Sequence, residues 1–163
     1  MTRRKAGRRD RRTTPEPAGA ALEAAAGFRY VESSALLAAL LELDTAARNA
    51  LSAPGRRITS ALTLAETARA LIRARVAARL TPAEERAALR WLQTFKRRCD
   101  IVSVTEPVLA RAGRPFPVEP IRTLDAVHLA TAESLGEPPQ LVAILTRDAR
   151  VRDNARALGY TVE

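Results

Sequence analysis

At 163 residues and 47% hydrophobic content, the chain is long enough for one well-filled core and too short for two domains of ordinary size. A single cysteine, Cys99, excludes an intrachain disulfide, and the absence of any run of 18 apolar residues excludes a helical membrane span. The net charge of +9 divides into +4 over residues 1–27 and +5 over residues 28–163, an excess that favours polyanionic partners, though arginine-rich usage along the whole chain blunts the signal.

Residues 1–27 combine TRRKAGRRDRR with TTPEPAGA and hold almost no large apolar side chain before Leu22. They are expected to form a disordered basic arm, one able to touch RNA phosphates or to remain a solvated tail. Residues 18–27 are small and carry Glu23, unlike the apolar stretch of a secretory signal, so a cytoplasmic location is expected.

A folded domain is expected over residues 28–163. FRYV, short and aromatic, predicts a strand from Phe28, and SALLAALLEL an apolar helix after it. Over ALTLAETARALIRARVAARL, the residues Leu64, Ala68, Leu71, Ile72 and Val76 share a helical face, with Arg69 and Arg73 opposite. Thr81-Pro82-Ala83-Glu84 has the form of a capping box that opens a helix, whose apolar stripe is Ala87, Ala88, Trp91, Leu92 and Phe95. DIVSV predicts a strand over 100–104, and Thr105 opens a brief helix that stops near Gly113. RPFPVEP is an extended loop. Thr123 is expected to cap a helix that runs to Leu135 and ends at Gly136. LVAILT, a continuous apolar run over 141–146, fits a strand covered on both faces. ARVRDNARALG predicts a last helix, and YTV a last strand. Strands alternating with helices specify an α/β domain of three layers around a parallel sheet.

Two acids fall at the edge where such sheets place ligands, beyond the carboxyl ends of strands: Glu32 after the first strand and Asp148 two residues after the apolar strand. Asp125 lies in the first turn of its helix and Glu66 early in another. Each has a plain reading alone: a helix-start acid, an i,i+3 partner for Arg69, a turn or cap residue, or a loop acid. Four carboxylates meeting in one pocket would instead need cations to balance them, and oxygen ligands select Mg²⁺ or Mn²⁺. One His and one Cys leave no cluster for zinc. An oxygen-lined metal site suits phosphodiester cleavage, in which metal activates water and steadies the in-line transition state.

In these segments the sequence resembles the PIN-domain family, above all its VapC-type toxins. YVESSALL (30–37) resembles the opening motif, ITSALTLAETARAL (58–71) the segment of the second acid, TLDAVHLATA (123–132) the third, and LTRDARVRDNARALGY (145–160) the last. The resemblance covers residues 28–163 in order. It implies a PIN fold and a metal-dependent endoribonuclease, the toxin of a type II toxin–antitoxin system. By it, Glu32, Glu66, Asp125 and Asp148 would bind Mg²⁺ or Mn²⁺ and carry catalysis, with Ser34 and Thr146 positioning the first acid or the substrate. RNA would be the substrate, a cognate antitoxin would cover the active site, and the protein would be a homodimer. Two features depart from the family. The first acid is Glu32 rather than Asp, which moves the carboxylate by roughly 1.5 Å in a site where Mg²⁺ requires near-octahedral ligands at about 2.0–2.1 Å. The basic arm precedes the first strand. The departure at Glu32 motivates an alternative: a catalytically weak PIN module that binds RNA or a protein partner.

His128, three residues after Asp125, shares its side of the helix, and the motif suggests an orienting residue rather than a general base. Arg147 and Arg150 flank the last acid and can meet either RNA phosphate or solvent; Asp153 is expected to face solvent and Cys99 to pack.

Overall fold

The computed structural model of the protein describes residues 27–163. The arm expected over residues 1–27 lies, but for Gly27, outside the described residues. The elements run β1 (Phe28–Val31), α1 (Ser33–Leu41), α2 (Thr45–Ser52), β2 (Arg56–Ser60), α3 (Ala61–Val76), α4 (Pro82–Lys96), β3 (Asp100–Val102), α5 (Glu106–Ala112), α6 (Thr123–Glu133), a 3₁₀ turn (Pro139–Leu141), β4 (Val142–Leu145), α7 (Ala149–Ala157) and β5 (Thr161–Val162). The sheet has strand order β3-β2-β1-β4-β5, and each of its four pairings is parallel. Parallel neighbours need crossovers, and the helices supply them.

Alternation along β1 and β4 divides the core between the two faces of the sheet. Tyr30 and Ile144 point to one side, where they join Val108 of α5, Ala126, Val127, Leu129 and Ala130 of α6, and Val151 and Ala155 of α7. Val31 and Leu145 point to the other, against Leu36 of α1, Ala47 and Leu51 of α2, and Leu92 and Phe95 of α4. Three layers result, as the alternation of elements predicts.

The chain runs from β1 outward through β2 to β3, then returns to the other side of β1 for β4 and β5. The direction of winding therefore reverses between β1 and β4. Open α/β sheets leave a crevice at such a reversal, beyond the carboxyl ends of the two strands. Glu32 follows β1 there, and Thr146 and Asp148 follow β4.

Several local expectations change. Arg56–Ser60, too polar to be read as a strand, is β2, and Thr45–Ser52 is a separate helix capped by Asp44. On α3 the buried face is Thr63, Thr67, Ala70, Leu71 and Ala74, while Val76 is exposed. The helix turns its hydroxyls inward because a polar site lies beneath them. The capping box at Thr81 forms, with Glu84 accepting from the Thr81 backbone at 2.8 Å. On α4, Leu92 and Phe95 are buried, whereas Trp91 is exposed and stacks on Phe95. Helix α6 begins after Arg122, and Thr123 makes no capping bond. The expected strand over 100–104 stops at Val102, and Leu141 belongs to the 3₁₀ turn instead of β4.

The loop before α6 is held from α7. Asn154, fully buried, accepts from Val118 N–H at 2.8 Å and donates to Val118 C=O at 2.8 Å and to Arg150 C=O at 3.1 Å. Asn154→Ala orphans both Val118 groups. It is expected to cost about 2–4 kcal/mol, read as a lower urea midpoint at unchanged slope.

Candidate active site

Glu32 is the N-cap of α1, and its carboxylate turns inward. It accepts from Ser33 Oγ at 2.6 Å, from Ser34 N at 3.0 Å, from Ser34 Oγ, and from Thr146 Oγ1 at 2.9 Å. It is 4% exposed. Burying a carboxylate is costly unless donors satisfy it, and three hydroxyls and an amide do so here. The Ser34 hydroxyl also receives Arg147 N–H at 2.7 Å and Asp148 N–H at 3.1 Å. One oxygen thus ties the loop after β1 to the loop after β4.

Asp148 caps α7, accepting from Arg150 N at 2.7 Å and Val151 N at 3.3 Å through Oδ1. Its plain reading as a cap is therefore real, and the cap sits at the same sheet edge as Glu32. Glu66 comes from α3, three residues after Thr63 and four before Ala70, so it borders the inward face. Its Oε2 lies 2.7 Å from His128 Nε2. Burial raises the Glu66 carboxyl, but the hydrogen bond and charge of His128, with smaller help from Ser33 and Arg73, outweigh it and leave the group below its ordinary range.

Asp125 is half-buried in the first turn of α6. Burial, then the negative charges of Asp148 and Glu32, push its carboxyl upward despite Arg122 and His128. Its Oδ2 is buried and has no hydrogen-bond partner. An acidic oxygen held out of water, facing like charges and bonded to nothing, fits a place meant for a cation.

Glu32 and Glu66 thus lie together, Asp125 feels the charges of Asp148 and Glu32, and Ser34 and Thr146 bridge Glu32 to the loop after β4. Sequence reasoning expected His128 to be an orienting residue. His128 is 2% exposed and inserts among the acids, with Nε2 also 3.6 Å from Glu32 Oε1. Glu32, Glu66 and His128 offer three donor atoms within 4.8 Å of one another, a spacing suited to a metal ion. The signal was available: His128 follows Asp125 at i+3 on an apolar helix. Arg147 pairs with Asp44 at 2.8 Å, Asp153 is exposed beside Arg152, and burial raises the Cys99 thiol to about 11, away from nucleophile chemistry. Among the described residues no helix is long and apolar enough to cross a membrane.

The comparisons agree with this geometry. A family model described as PIN domain matches residues 29–157. The chain is 40% identical over 135 residues to Ribonuclease VapC46 of Mycobacterium tuberculosis, covering 82% of this chain and 94% of that protein. It is 36% identical over 107 residues to Ribonuclease VapC35 of the same species, covering 66% and 71%. Two crystal structures share the fold. Rickettsia felis VapBC2, bound to a promoter DNA fragment, aligns with a TM-score of 0.58 and 13% identity over 83% of this chain and 97% of that one. Mycobacterium tuberculosis VapC20, a toxin that cleaves the sarcin–ricin loop, aligns with a TM-score of 0.56 and 21% identity over 82% and 96%. With four-fifths of its length accounted for by one family model, and a 40% identical relative matched over 94% of that relative's length, the chain belongs to the PIN-domain family.

Proposed function

We propose that this protein is a divalent-metal-dependent endoribonuclease, the toxin of a type II toxin–antitoxin pair. The observation that carries the metal is Asp125, whose buried, unpartnered oxygen faces the charges of Glu32 and Asp148. The relatives named ribonuclease supply the substrate class, and structures of VapBC complexes supply the partner class, a cognate antitoxin. A homodimer in the cytoplasm remains part of this reading by family resemblance.

Glu32, Glu66, Asp125 and Asp148 would hold Mg²⁺ or Mn²⁺, which supplies a water nucleophile at neutral pH and neutralises phosphate charge. Ser34 and Thr146 keep the Glu32 carboxylate in place through their hydroxyls. Asp125 leaves Oδ2 free of any hydrogen bond. Asp148 spends Oδ1 on the N-terminal amides of α7, which fixes its carboxylate at the same edge.

Purified protein is expected to cleave RNA with Mg²⁺ or Mn²⁺ and to stop with EDTA, with activity returning when metal is restored in excess. Cleavage that persists in EDTA, or no cleavage with either ion, would count against this function.

A further inference from the structure

Beside the four acids lies a second chain of buried polar groups. Tyr30, fully buried on β1, places its phenol oxygen 3.2 Å from His128 Nδ1. On the other side of the ring, His128 Nε2 lies 2.7 Å from Glu66 Oε2. Burial pushes the Tyr30 phenol well above its ordinary range, although hydroxyls of Ser60, Thr131 and Thr63 close to it pull the other way.

One of these partners fixes the direction of its hydrogen bond. An ionised carboxylate only accepts, so the short contact to Glu66 requires a hydrogen on Nε2. Nδ1 is left to share the second hydrogen bond with the Tyr30 hydroxyl. Three elements are joined in one line: the phenol from β1, the imidazole from α6 and the carboxylate from α3. His128 cannot move far, since α6 is buried from Ala126 to Ala132.

The same ring sits close enough to Glu32 and Glu66 to be mistaken for a third metal ligand. To ligate through Nε2 it would have to give up the Glu66 bond and the hydrogen that makes it.

We infer that Tyr30 and His128 are a positioning pair, which holds the Glu66 carboxylate toward the metal through a hydrogen bond and does not itself bind the ion. The inference rests on the metal-dependent reading above. Partners that orient a ligating carboxylate are worth about 10–100-fold in metal affinity when lost.

His128 is the only histidine in the chain, so its ring nitrogens can be read without assignment. In the metal-free protein labelled with ¹⁵N-histidine, long-range ¹H–¹⁵N spectra are expected to show hydrogen on Nε2. The opposite tautomer overturns the inference, whatever any variant does. Mn²⁺ titrations by calorimetry are expected to give Tyr30→Phe and His128→Leu affinities about 10–100-fold weaker than the native protein. His128→Gln, whose amide N–H can still reach Glu66, should recover part of the loss. Pulsed electron paramagnetic resonance of the Mn²⁺-loaded protein should show no directly bound imidazole nitrogen. A bound nitrogen, or native affinity in Tyr30→Phe, overturns the pair while leaving the nuclease standing. If the native protein takes up no Mn²⁺ at all, both fall.

Discussion

Asp125→Asn is expected to remove RNA cleavage and, in the same protein, to raise thermal stability when metal is absent. Orienting partners of metal ligands already cost about 10–100-fold, so loss of a carboxylate that itself faces the ion should lower kcat/KM by at least about 100-fold. The stability gain has a separate origin. Burial and the charges of Asp148 and Glu32 raise the Asp125 carboxyl above its unfolded value. The native state therefore holds the proton more tightly than the unfolded chain. Its contribution to stability is complete below the ordinary carboxylate range and is lost as pH rises through the raised native value. The charged form is the burden, and the amide removes it. Glu66 runs the other way: its native value is lowered, so its contribution is present above the ordinary range and is lost as pH falls through the native value. Calorimetry in EDTA should thus show the variant melting higher than the native protein at pH 7, with the gap narrowing at pH 4. With each kcal/mol worth about 2–4 °C in a chain of this size, a rise of about 1–3 °C is expected. A variant that melts lower at pH 7 would mean that Asp125 has a structural partner after all.

Glu32→Ala should have the opposite effect on stability and the same effect on activity. Four donors converge on this carboxylate, and one of them, Ser34 N–H, cannot turn away. Leaving them unanswered in a buried pocket is expected to cost about 2–4 kcal/mol, seen as a lower urea midpoint, with cleavage lost. Glu32→Asp separates charge from reach. A shorter carboxylate still caps α1 from the same backbone position, so most of the stability should remain. Its effect on turnover decides between the two family readings. If the native protein cleaves RNA briskly and the aspartate variant does not improve on it, the extra methylene is absorbed by the loop. If the native protein only binds RNA and the variant cleaves it, the longer side chain is what keeps the site weak.

The sequence disclosed those parts of the molecule that depend on local pattern. The apolar run through Val142–Leu145, the aromatic start at Phe28 and the capping box at Thr81 each form as their residues require. Glu32, Asp125 and Asp148 stood out because each follows a strand or opens a helix; Glu66, the sixth residue of α3, carries no such mark. β2 was missed because Arg56, Arg57, Thr59 and Ser60 are polar. Arg57 is satisfied by the carbonyls of Leu51 and Ala53, and Thr59 by that of Val31, contacts no periodicity announces. Val76 was misjudged because the interior beneath α3 is lined by Thr63 and Thr67 rather than by apolar side chains. The place of His128 depends on Tyr30, 98 residues away, and its importance emerges only when the two meet.

The bond from Thr146 to Glu32 joins residues 114 positions apart. A chain emerging from the ribosome carries Glu32 early, but the matching hydroxyl arrives only after β4 has been made. Closing so long a span must await that strand. For an enzyme that destroys RNA this order has a use: a product broken off before β4 lacks the bond that anchors Glu32.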